Sequence, residues 1–342
     1  MTSLGTPEGT PAVKPPAMTP SETMAGSAAG LPAPRRELPR RLEPAQIDAL
    51  LIAALDEDRS GPDRRRPGPL DSAEASGDIT SRHAVPVAAR ARAHLLCKTR
   101  GRLAGIDVFA RTFELCDPGA AIRLEARDGD EIAPGQVLAR IEGRARALLL
   151  AERTALNFVQ RLSGIATTTA RYVARAGGRV RVLDTRKTTP NLRLLEKYAV
   201  RCGGGENHRF GLYDEAMVKN NHVDLAGRPL ADVLADLRAA LGPAVRITAE
   251  ARDEAEALAG VQGGADVVML DNFDVERARA LCPRLCRAAE ARERPLEIEV
   301  SGGITEDNVG RFAEAGVDRI SVGALTHSAP ALDLSLSLEP IA

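Results

Sequence analysis

The chain has little aromatic character. Of its 342 residues only 3% are Phe, Tyr or Trp, and Trp is absent. Surfaces that bind single-stranded nucleic acid rely on aromatic rings that stack against bases, so a nucleic-acid partner is not expected. No apolar run approaches the ~20 residues that a membrane-spanning helix needs, and a membrane partner is not expected either.

Cysteine and lysine are also scarce. The 5 cysteines are scattered, and they form neither a CxxC pair nor an even disulfide framework. A reducing, cytoplasmic location is therefore expected. Only 5 of the 46 basic residues are lysines, so each lysine is a candidate for chemistry that needs a compact ammonium group, with chance placement as the alternative.

The near-neutral total charge of −1 hides two regions of opposite sign. Residues 151–222 carry 13 basic and 6 acidic side chains, whereas residues 223–342 carry 12 and 21. A basic segment followed by an acidic one suggests that an anionic ligand meets one face of the protein. Mutual neutralisation of neighbouring elements explains the pattern equally well.

The first part of the chain changes composition twice. Residues 1–42 are rich in Pro, Ala, Gly, Ser and Thr and lack apolar periodicity, which predicts a disordered extension. A helix is predicted from Pro44, and a polar, Pro- and Gly-rich loop over 56–76. Short apolar runs separated by turn signals follow, and a long apolar-periodic helix is predicted over 147–176.

From residue 180 onward, apolar strands alternate with helical stretches. The predicted strands are 180–185, 216–219, 245–250, 265–270, 297–301 and 318–323. Repeated β–α units predict a parallel sheet. Because six units fall short of the eight of a complete barrel, we predict an α/β fold with an incomplete, open β/α barrel over residues 179–328.

Chemically active residues follow these strands. In parallel α/β folds the ligand binds at the C-terminal ends of the strands. Here those ends carry Asp184, Arg186, Lys187, Lys219, Glu250, Asp271, Asn272, Ser301, Gly302, Gly303 and Gly323. Such a concentration of charges and glycine-rich turns favours a binding site over a purely structural barrel.

The residue types suggest three kinds of contact. The small-residue turns at 301–305 and 322–325 can present backbone N–H groups to a phosphate. Glu250 and Asp271 suit Mg²⁺ that also binds phosphate oxygens, although they can equally balance nearby lysines. A cationic set suits carboxylates and phosphates, and it consists of Arg186, Lys187, His208, Arg209 and Lys219.

Several segments resemble the quinolinate phosphoribosyltransferase family. They are residues 151–167, 184–222, 267–273, 299–305 and 320–336, within a resemblance that extends over about residues 43–340. The resemblance implies transfer of a phosphoribosyl group from phosphoribosyl pyrophosphate to quinolinate. The products would be nicotinate mononucleotide, pyrophosphate and CO₂, in de novo NAD biosynthesis.

The resemblance also implies an architecture. It implies an N-terminal α/β sandwich domain over 43–178 in front of the open barrel, and a C-terminal segment, 329–342, that packs back on it. A Mg²⁺ cofactor is implied, as is a homodimer, with a hexamer left open.

Residue roles carry over onto matching positions. The quinolinate carboxylates would be contacted by Arg153, Arg186, His208, Arg209 and Lys219. Arg153 would reach into the site of the partner subunit, which makes the dimer functional.

The remaining positions match the phosphoribosyl side of the site. The catalytic residues would be Lys187 at the centre, with Glu250 and Asp271 on the ribose hydroxyls and the magnesium pyrophosphate. The 5′-phosphate would be held by Ser301, Gly302, Gly303 and Gly323.

Two positions depart from the family pattern. Asn220 stands where an acidic residue is usual, and Thr248 replaces a frequent Glu, which leaves the strength of metal binding open. Rival interpretations are a related protein associated with molybdenum uptake, a Schiff-base aldolase using Lys187 or Lys219, and a non-catalytic binding protein.

Overall fold

The computed structural model describes residues 42–59, 70, 77–290, 292 and 294–341. The extension predicted for residues 1–42 lies outside this range except for Leu42. Most of the loop predicted over 56–76 lies outside it as well, and residues 56–59 belong to the first helix, which corrects the start of that loop.

The structure contains helices and strands in both halves of the described chain. Those up to residue 176 are α1 (Pro44–Arg59), α2 (Ile79–Ala84), β1 (Arg90–Cys97), β2 (Gly101–Arg102), α3 (Ile106–Cys116), β3 (Ala121–Leu124), β4 (Glu131–Ile132), β5 (Val137–Arg144) and α4 (Ala145–Ala176). Those that follow are β6 (Arg181–Leu183), α5 (Arg193–Cys202), β7 (Ala216–Val218), α6 (Asn220–Ala226), α7 (Leu230–Leu241), β8 (Ile247–Ala251), α8 (Glu254–Gln262), β9 (Val267–Asp271), α9 (Val275–Ala289), β10 (Glu297–Ser301), α10 (Val309–Ala313), β11 (Arg319–Ser321), α11 (Ala324–His327) and β12 (Leu334–Ile341).

A four-stranded antiparallel sheet dominates the N-terminal half, with strand order β12-β1-β5-β3. Every second residue of β1 is buried, and these side chains pack in one core with α3 and α4. Strand β12 comes from the far end of the chain and pairs along the whole of β1, from Arg90 opposite Ile341 to Cys97 opposite Leu334. The N-terminal half therefore needs the C-terminal residues to complete its sheet.

Helix α3 was not predicted, because its residues were interpreted only as apolar runs bounded by turns. Its buried residues Ile106, Phe109, Ala110 and Phe113 recur at the three- and four-residue spacing of a helix face. The rings of Phe109 and Phe113 pack against each other with centroids 5.0 Å apart and planes tilted by 57°. The apolar periodicity of a helix is therefore present in the sequence, but it extends over only 11 residues.

The second half contains a six-stranded sheet with order β6-β11-β10-β9-β8-β7. All five neighbouring pairs are parallel, and each observed strand overlaps one of the six predicted. Between β6 and β7 the described residues form no ladder, and Leu183 makes only a single bridge to Glu206. The α/β fold with an open β/α barrel is confirmed.

The two faces of this sheet differ in chemistry. The helix-facing side is apolar and includes Val182, Val218, Ala249, Val268, Leu270, Ile298, Val300 and Ile320. Because side chains alternate along a strand, the residues between these positions point into the barrel. Several of those are polar or charged and buried, among them Thr248, Glu299 and Arg319.

Helix α4 links the two halves. The C-terminal segment crosses it closely: Leu332 N donates to Gln160 O at 2.9 Å, and Gln160 Nε2 donates to Leu334 O at 2.7 Å. A Cβ on Gly164 would lie 2.0 Å from Pro330 O, so this crossing requires glycine. Among the helices of the described residues, none is long and apolar enough to cross a membrane.

Candidate active site

Three of the expected site residues share the interior face of the barrel at its C-terminal end. Glu250 is in register with Met269 of β9, and Asp271 lies two residues beyond Met269. Ser301 of β10 is in register with Asp271. Since residues paired across parallel strands point to the same face, two carboxylates and a hydroxyl lie side by side there.

Lys219 joins this group directly after β7. Its Nζ forms an ion pair with Glu250 Oε2. The Lys219 side chain is 43% exposed and that of Glu250 only 9%, so the pair lies at the mouth of the barrel. The alternative that Glu250 balances a nearby lysine is therefore realised in this structure.

Arg186 and Arg209 form a cationic patch beside these groups. Burial lowers the pKa of the Arg209 guanidinium, and the neighbouring positive charge of Arg186 lowers it further. Arg186 Nε is buried without a hydrogen-bond partner among the described residues, and Arg209 Nη1 has the backbone Glu215 O at 3.3 Å. Two adjacent guanidiniums, one with an unsatisfied buried donor, are suited to an anionic ligand.

His208 lies deeper than the sequence suggested. It is 6% exposed, and its Nδ1 accepts a hydrogen bond from Arg209 N at 2.7 Å. Its Nε2 lies 3.4 Å from Glu299 Oε1 and 3.2 Å from Arg319 Nη2. Both ring nitrogens therefore face protein groups in this structure.

Lys187 lies against the turn after β11. A Cβ on Gly323 would be 3.1 Å from Lys187 Cδ and 3.0 Å from His327 Nε2. Thr326 Oγ1 donates to Lys187 O at 2.8 Å, which ties the two loops together. His327 was not predicted as a site residue, although its position one helical turn after Gly323 is a usable signal in the sequence.

The glycine turn after β10 is shaped by its neighbour Asn272. Gly302 has φ 89° and Gly303 φ 63°, which favour glycine. A Cβ on Gly302 would lie only 2.2 Å from Asn272 Oδ1. Asn272 itself has φ 57° and donates from Nδ2 to Asp271 Oδ2 at 3.1 Å, so the turn and the Asp271 carboxylate are mechanically linked.

Asp184 follows β6 but points away from this site. It is fully buried and forms an ion pair with Lys197 of α5, and it accepts from His208 N at 2.9 Å. Burial raises the pKa of the Asp184 carboxyl and lowers that of the Lys197 ammonium, with their mutual attraction opposing both shifts. The pair anchors the segment that carries His208 and Arg209.

Arg153 is not brought to this cluster within one chain. It is exposed on α4, eight residues before Arg161, which is about 12 Å along a helix axis. Further along α4, Arg161 lies near the segment after β11, because its Nη1 donates to Ala329 O at 3.1 Å and its Nη2 to the buried Glu196 at 2.9 Å.

The two atypical positions lie on different levels. Asn220 begins α6, and its Oδ1 accepts from Asn221 N at 2.8 Å. Thr248 is buried below Glu250 and donates from Oγ1 to Glu215 Oε1 at 2.6 Å. Neither side chain adds negative charge at the mouth of the barrel.

The site has few potential metal ligands. No group of three or more His, Cys, Asp or Glu side chains within the described chain could hold a metal ion. Glu250 and Asp271 supply two carboxylates, which suits an ion that arrives with phosphate oxygens and water rather than one held by protein alone.

Known proteins match this chain over most of its length. Residues 78–163 match the N-terminal domain, and residues 165–337 the C-terminal domain, of quinolinate phosphoribosyl transferase. A probable nicotinate-nucleotide pyrophosphorylase [carboxylating] of Bacillus subtilis is 40% identical over 264 residues, which cover 77% of this chain and 88% of that protein. A protein of Archaeoglobus fulgidus with the same name is 40% identical, covering 76% of this chain and 97% of its own length.

A solved structure agrees. NadC from Streptococcus pyogenes superposes with a TM-score of 0.78 at 38% identity, covering 88% of this chain and 99% of that one. Both domains are matched in their order along the sequence, and the relatives are covered almost completely. The chain therefore belongs to the quinolinate phosphoribosyltransferase family.

Proposed function

We propose that this protein is a nicotinate-nucleotide pyrophosphorylase (carboxylating): it transfers the phosphoribosyl group of phosphoribosyl pyrophosphate to quinolinate and forms nicotinate mononucleotide, pyrophosphate and CO₂. Family membership supports the reaction. The observation that carries the site assignment is that the Arg186–Arg209 patch and the carboxylates of Glu250 and Asp271 lie at the same end of the barrel. This arrangement separates a place for a dicarboxylate from a place for a ribose and its leaving group.

Arg186, Arg209 and Lys219 bind the quinolinate carboxylates. Guanidinium groups recognise carboxylates through two parallel hydrogen bonds, and the buried, unsatisfied Nε of Arg186 is available for one of them. Lys219 is paired with Glu250, so binding of a substrate carboxylate places a second anion beside the same ammonium group. His208 belongs to this subsite as the residue that holds the backbone of Arg209.

Ser301, Gly302, Gly303 and Gly323 hold the 5′-phosphate through backbone N–H groups. Their turns follow adjacent strands, β10 and β11, where late loops of phosphate-binding barrels lie. Lys187 lies beside Gly323, which supports a role for its ammonium group next to the phosphate turn. Glu250 and Asp271 bind the ribose hydroxyls.

The chemistry requires positioning and charge stabilisation rather than a covalent nucleophile. The pyridine nitrogen of quinolinate attacks C1 of the ribose as pyrophosphate departs. The carboxylate next to the ring nitrogen then leaves as CO₂, because the cationic ring stabilises the electron pair left on carbon, and protonation of that carbon completes the product. Lys187 offsets negative charge near the departing pyrophosphate.

Mg²⁺ fits the donor set of this site. Glu250 and Asp271 would hold it together with the oxygens of pyrophosphate, and the ion would supply neutralisation of the leaving-group charge.

A homodimer with a shared site is proposed from the position of Arg153. This side chain is exposed on α4, about two helical turns from Arg161. Its guanidinium is available to the site of a second copy, where it would bind a quinolinate carboxylate. Whether dimers assemble further, for example into a hexamer, is measured separately by sedimentation.

The function is tested with the full chain, quinolinate, phosphoribosyl pyrophosphate and Mg²⁺. The expected products are nicotinate mononucleotide, followed by chromatography, and CO₂ released from labelled quinolinate. EDTA should stop the reaction, and added Mg²⁺ should restore it. Absence of both products would refute the proposal, and a protein-bound adduct trapped by borohydride would favour the aldolase alternative instead.

Lys187→Ala provides the residue-level test. It should abolish turnover and leave the thermal unfolding midpoint unchanged, because Lys187 is exposed. Lys98→Ala is the matched control, since Lys98 is also exposed and lies in the N-terminal half. Equal loss of activity in both variants would contradict a specific role for Lys187.

A further inference from the structure

The interior of the barrel contains a charged network below the proposed site. Glu299 of β10 and Arg319 of β11 are in register with each other and have fully buried side chains. Arg319 Nε donates to Glu299 Oε2 at 2.5 Å. Burying such a pair is costly unless its geometry is good and its remaining hydrogen-bonding atoms find partners, so its presence in this position calls for an explanation beyond packing.

The surroundings of His208 determine which ring nitrogen carries the proton. Arg209 N–H and Arg319 Nη2 are both donors, at 2.7 Å from Nδ1 and 3.2 Å from Nε2 respectively. A neutral imidazole has only one nitrogen that can accept. The shorter backbone hydrogen bond takes Nδ1, and the proton is therefore on Nε2.

An Nε2–H group needs an acceptor, and the carboxylate of Glu299 faces it. Glu299 Oε1 lies 3.4 Å from His208 Nε2 and makes no hydrogen bond to any other described residue. Although burial raises the pKa of the Glu299 carboxyl, the positive charge of Arg319 and the hydrogen bond with His208 hold it below its ordinary value. The acceptor is thus a permanent anion at neutral pH.

We propose that Glu299 is a positioning residue for the dicarboxylate subsite, fixing His208 as the Nε2–H tautomer so that His208 Nδ1 holds the backbone of Arg209. Arg319 acts one step further away, because it holds the Glu299 carboxylate. The chain of contacts ends at the guanidinium of Arg209 beside Arg186. This inference rests on the function proposed above and adds to it the residue that orients the carboxylate-binding cations.

The kinetic test compares two identical substitutions on one strand. Glu299→Gln removes the anionic acceptor of His208. Glu297→Gln is the matched control, because Glu297 points to the same face of β10 and also pairs with Arg319, at 3.2 Å, without a contact to His208. Displacing a binding group by about 1 Å costs up to about 100-fold, so Glu299→Gln should raise the KM for quinolinate about 10- to 100-fold.

Comparing the KM values for the two substrates distinguishes a positioning role of Glu299 from general structural damage. In Glu299→Gln the KM for phosphoribosyl pyrophosphate should stay within about twofold of the wild type, because the Glu299 side chain contacts His208 and Arg319 rather than the phosphate turn that begins two residues later at Ser301. Glu297→Gln should lower the unfolding midpoint but leave both KM values unchanged. The proposal is overturned by a folded Glu299→Gln protein with the wild-type KM for quinolinate, or by equal increases in both KM values.

A second measurement needs no variant to fold. The chain has 5 histidines, and a long-range ¹H–¹⁵N spectrum of the full wild-type protein with labelled histidine distinguishes the two ring nitrogens of each. His208 should be the Nε2–H tautomer with an unprotonated Nδ1, and protonation at Nδ1 would overturn the proposal. If the wild type forms no nicotinate mononucleotide, the proposed function fails, whereas the tautomer is still decided by this spectrum.

Discussion

The turn after β10 offers a quantitative test of how the proposed phosphate-binding and metal-binding groups are joined. Gly302 has φ 89°, a conformation that costs an L-residue about 1–2 kcal/mol. A Cβ at this position would also lie 2.2 Å from Asn272 Oδ1. Gly302→Ala therefore imposes both backbone strain and a steric clash.

The steric clash adds to the free-energy cost of the backbone conformation. Overpacking by a methyl group in a tight site typically costs about 1–3 kcal/mol, so Gly302→Ala should be about 2–5 kcal/mol less stable than the wild type. Asn272 must move to relieve the clash. Asn272 N donates to Ser301 O at 2.8 Å, and Asn272 Nδ2 donates to Asp271 Oδ2 at 3.1 Å. The Asp271 carboxylate should therefore move together with Asn272.

A displacement of about 1 Å at a reacting group costs up to about 100-fold, and we expect this loss in kcat/KM for phosphoribosyl pyrophosphate. Gly135→Ala is the matched control: Gly135 has φ 83° and nothing within 4 Å of its Cβ position, so it carries the backbone cost of about 1–2 kcal/mol alone. Urea unfolding and steady-state kinetics measure both quantities. The reasoning is refuted if Gly302→Ala loses no more stability than Gly135→Ala and keeps wild-type kcat/KM.

Three further predictions follow from the site and its surroundings. Arg153→Ala and Lys187→Ala should each be inactive. Unfolding and refolding the two variants together should restore about a quarter of wild-type activity, because half of the randomly formed dimers then contain one intact shared site. No recovery of activity would argue against a shared site. Arg186→Lys should raise the KM for quinolinate by about 10-fold or more and spare that for phosphoribosyl pyrophosphate, since an ammonium cannot bind a carboxylate in bidentate fashion. Glu299 has a folded-state pKa of about 2 against an ordinary value of 4.5, so the stability it contributes is present above pH 4.5 and is lost as the pH falls toward 2. Glu299→Gln should therefore reduce the pH dependence of the unfolding free energy in this range by up to about 1.4 kcal/mol per pH unit. Identical slopes for the variant and the wild type would contradict this prediction.

The barrel strands were predictable because each is a short apolar run bounded by turns. All six overlap the observed strands, and Glu250, Asp271 and Ser301 were correctly placed at strand ends. Asp184 shows where that reasoning stops: it also follows a strand, yet it points to the helix side and pairs with Lys197. A strand end alone does not say which face the next residue occupies.

The segment at 297–301 illustrates the same limit. Glu297 and Glu299 alternate with Ile298 and Val300, a pattern typical of a strand with one face in water. In the barrel Glu299 is instead fully buried, because the neighbouring strand brings Arg319 beside it. Neither partner is recognisable from local sequence, since they are 20 residues apart.

The sequence by itself determined the β–α rhythm, the residues at the strand ends and the family signature, because each of these is written in a short contiguous stretch. Only the tertiary structure decided which side chains share the barrel interior, that both His208 ring nitrogens face protein groups, and that the far C-terminal strand completes the N-terminal sheet. These features depend on register and barrel closure, which bring together residues distant along the chain, and a local pattern carries no information about such contacts.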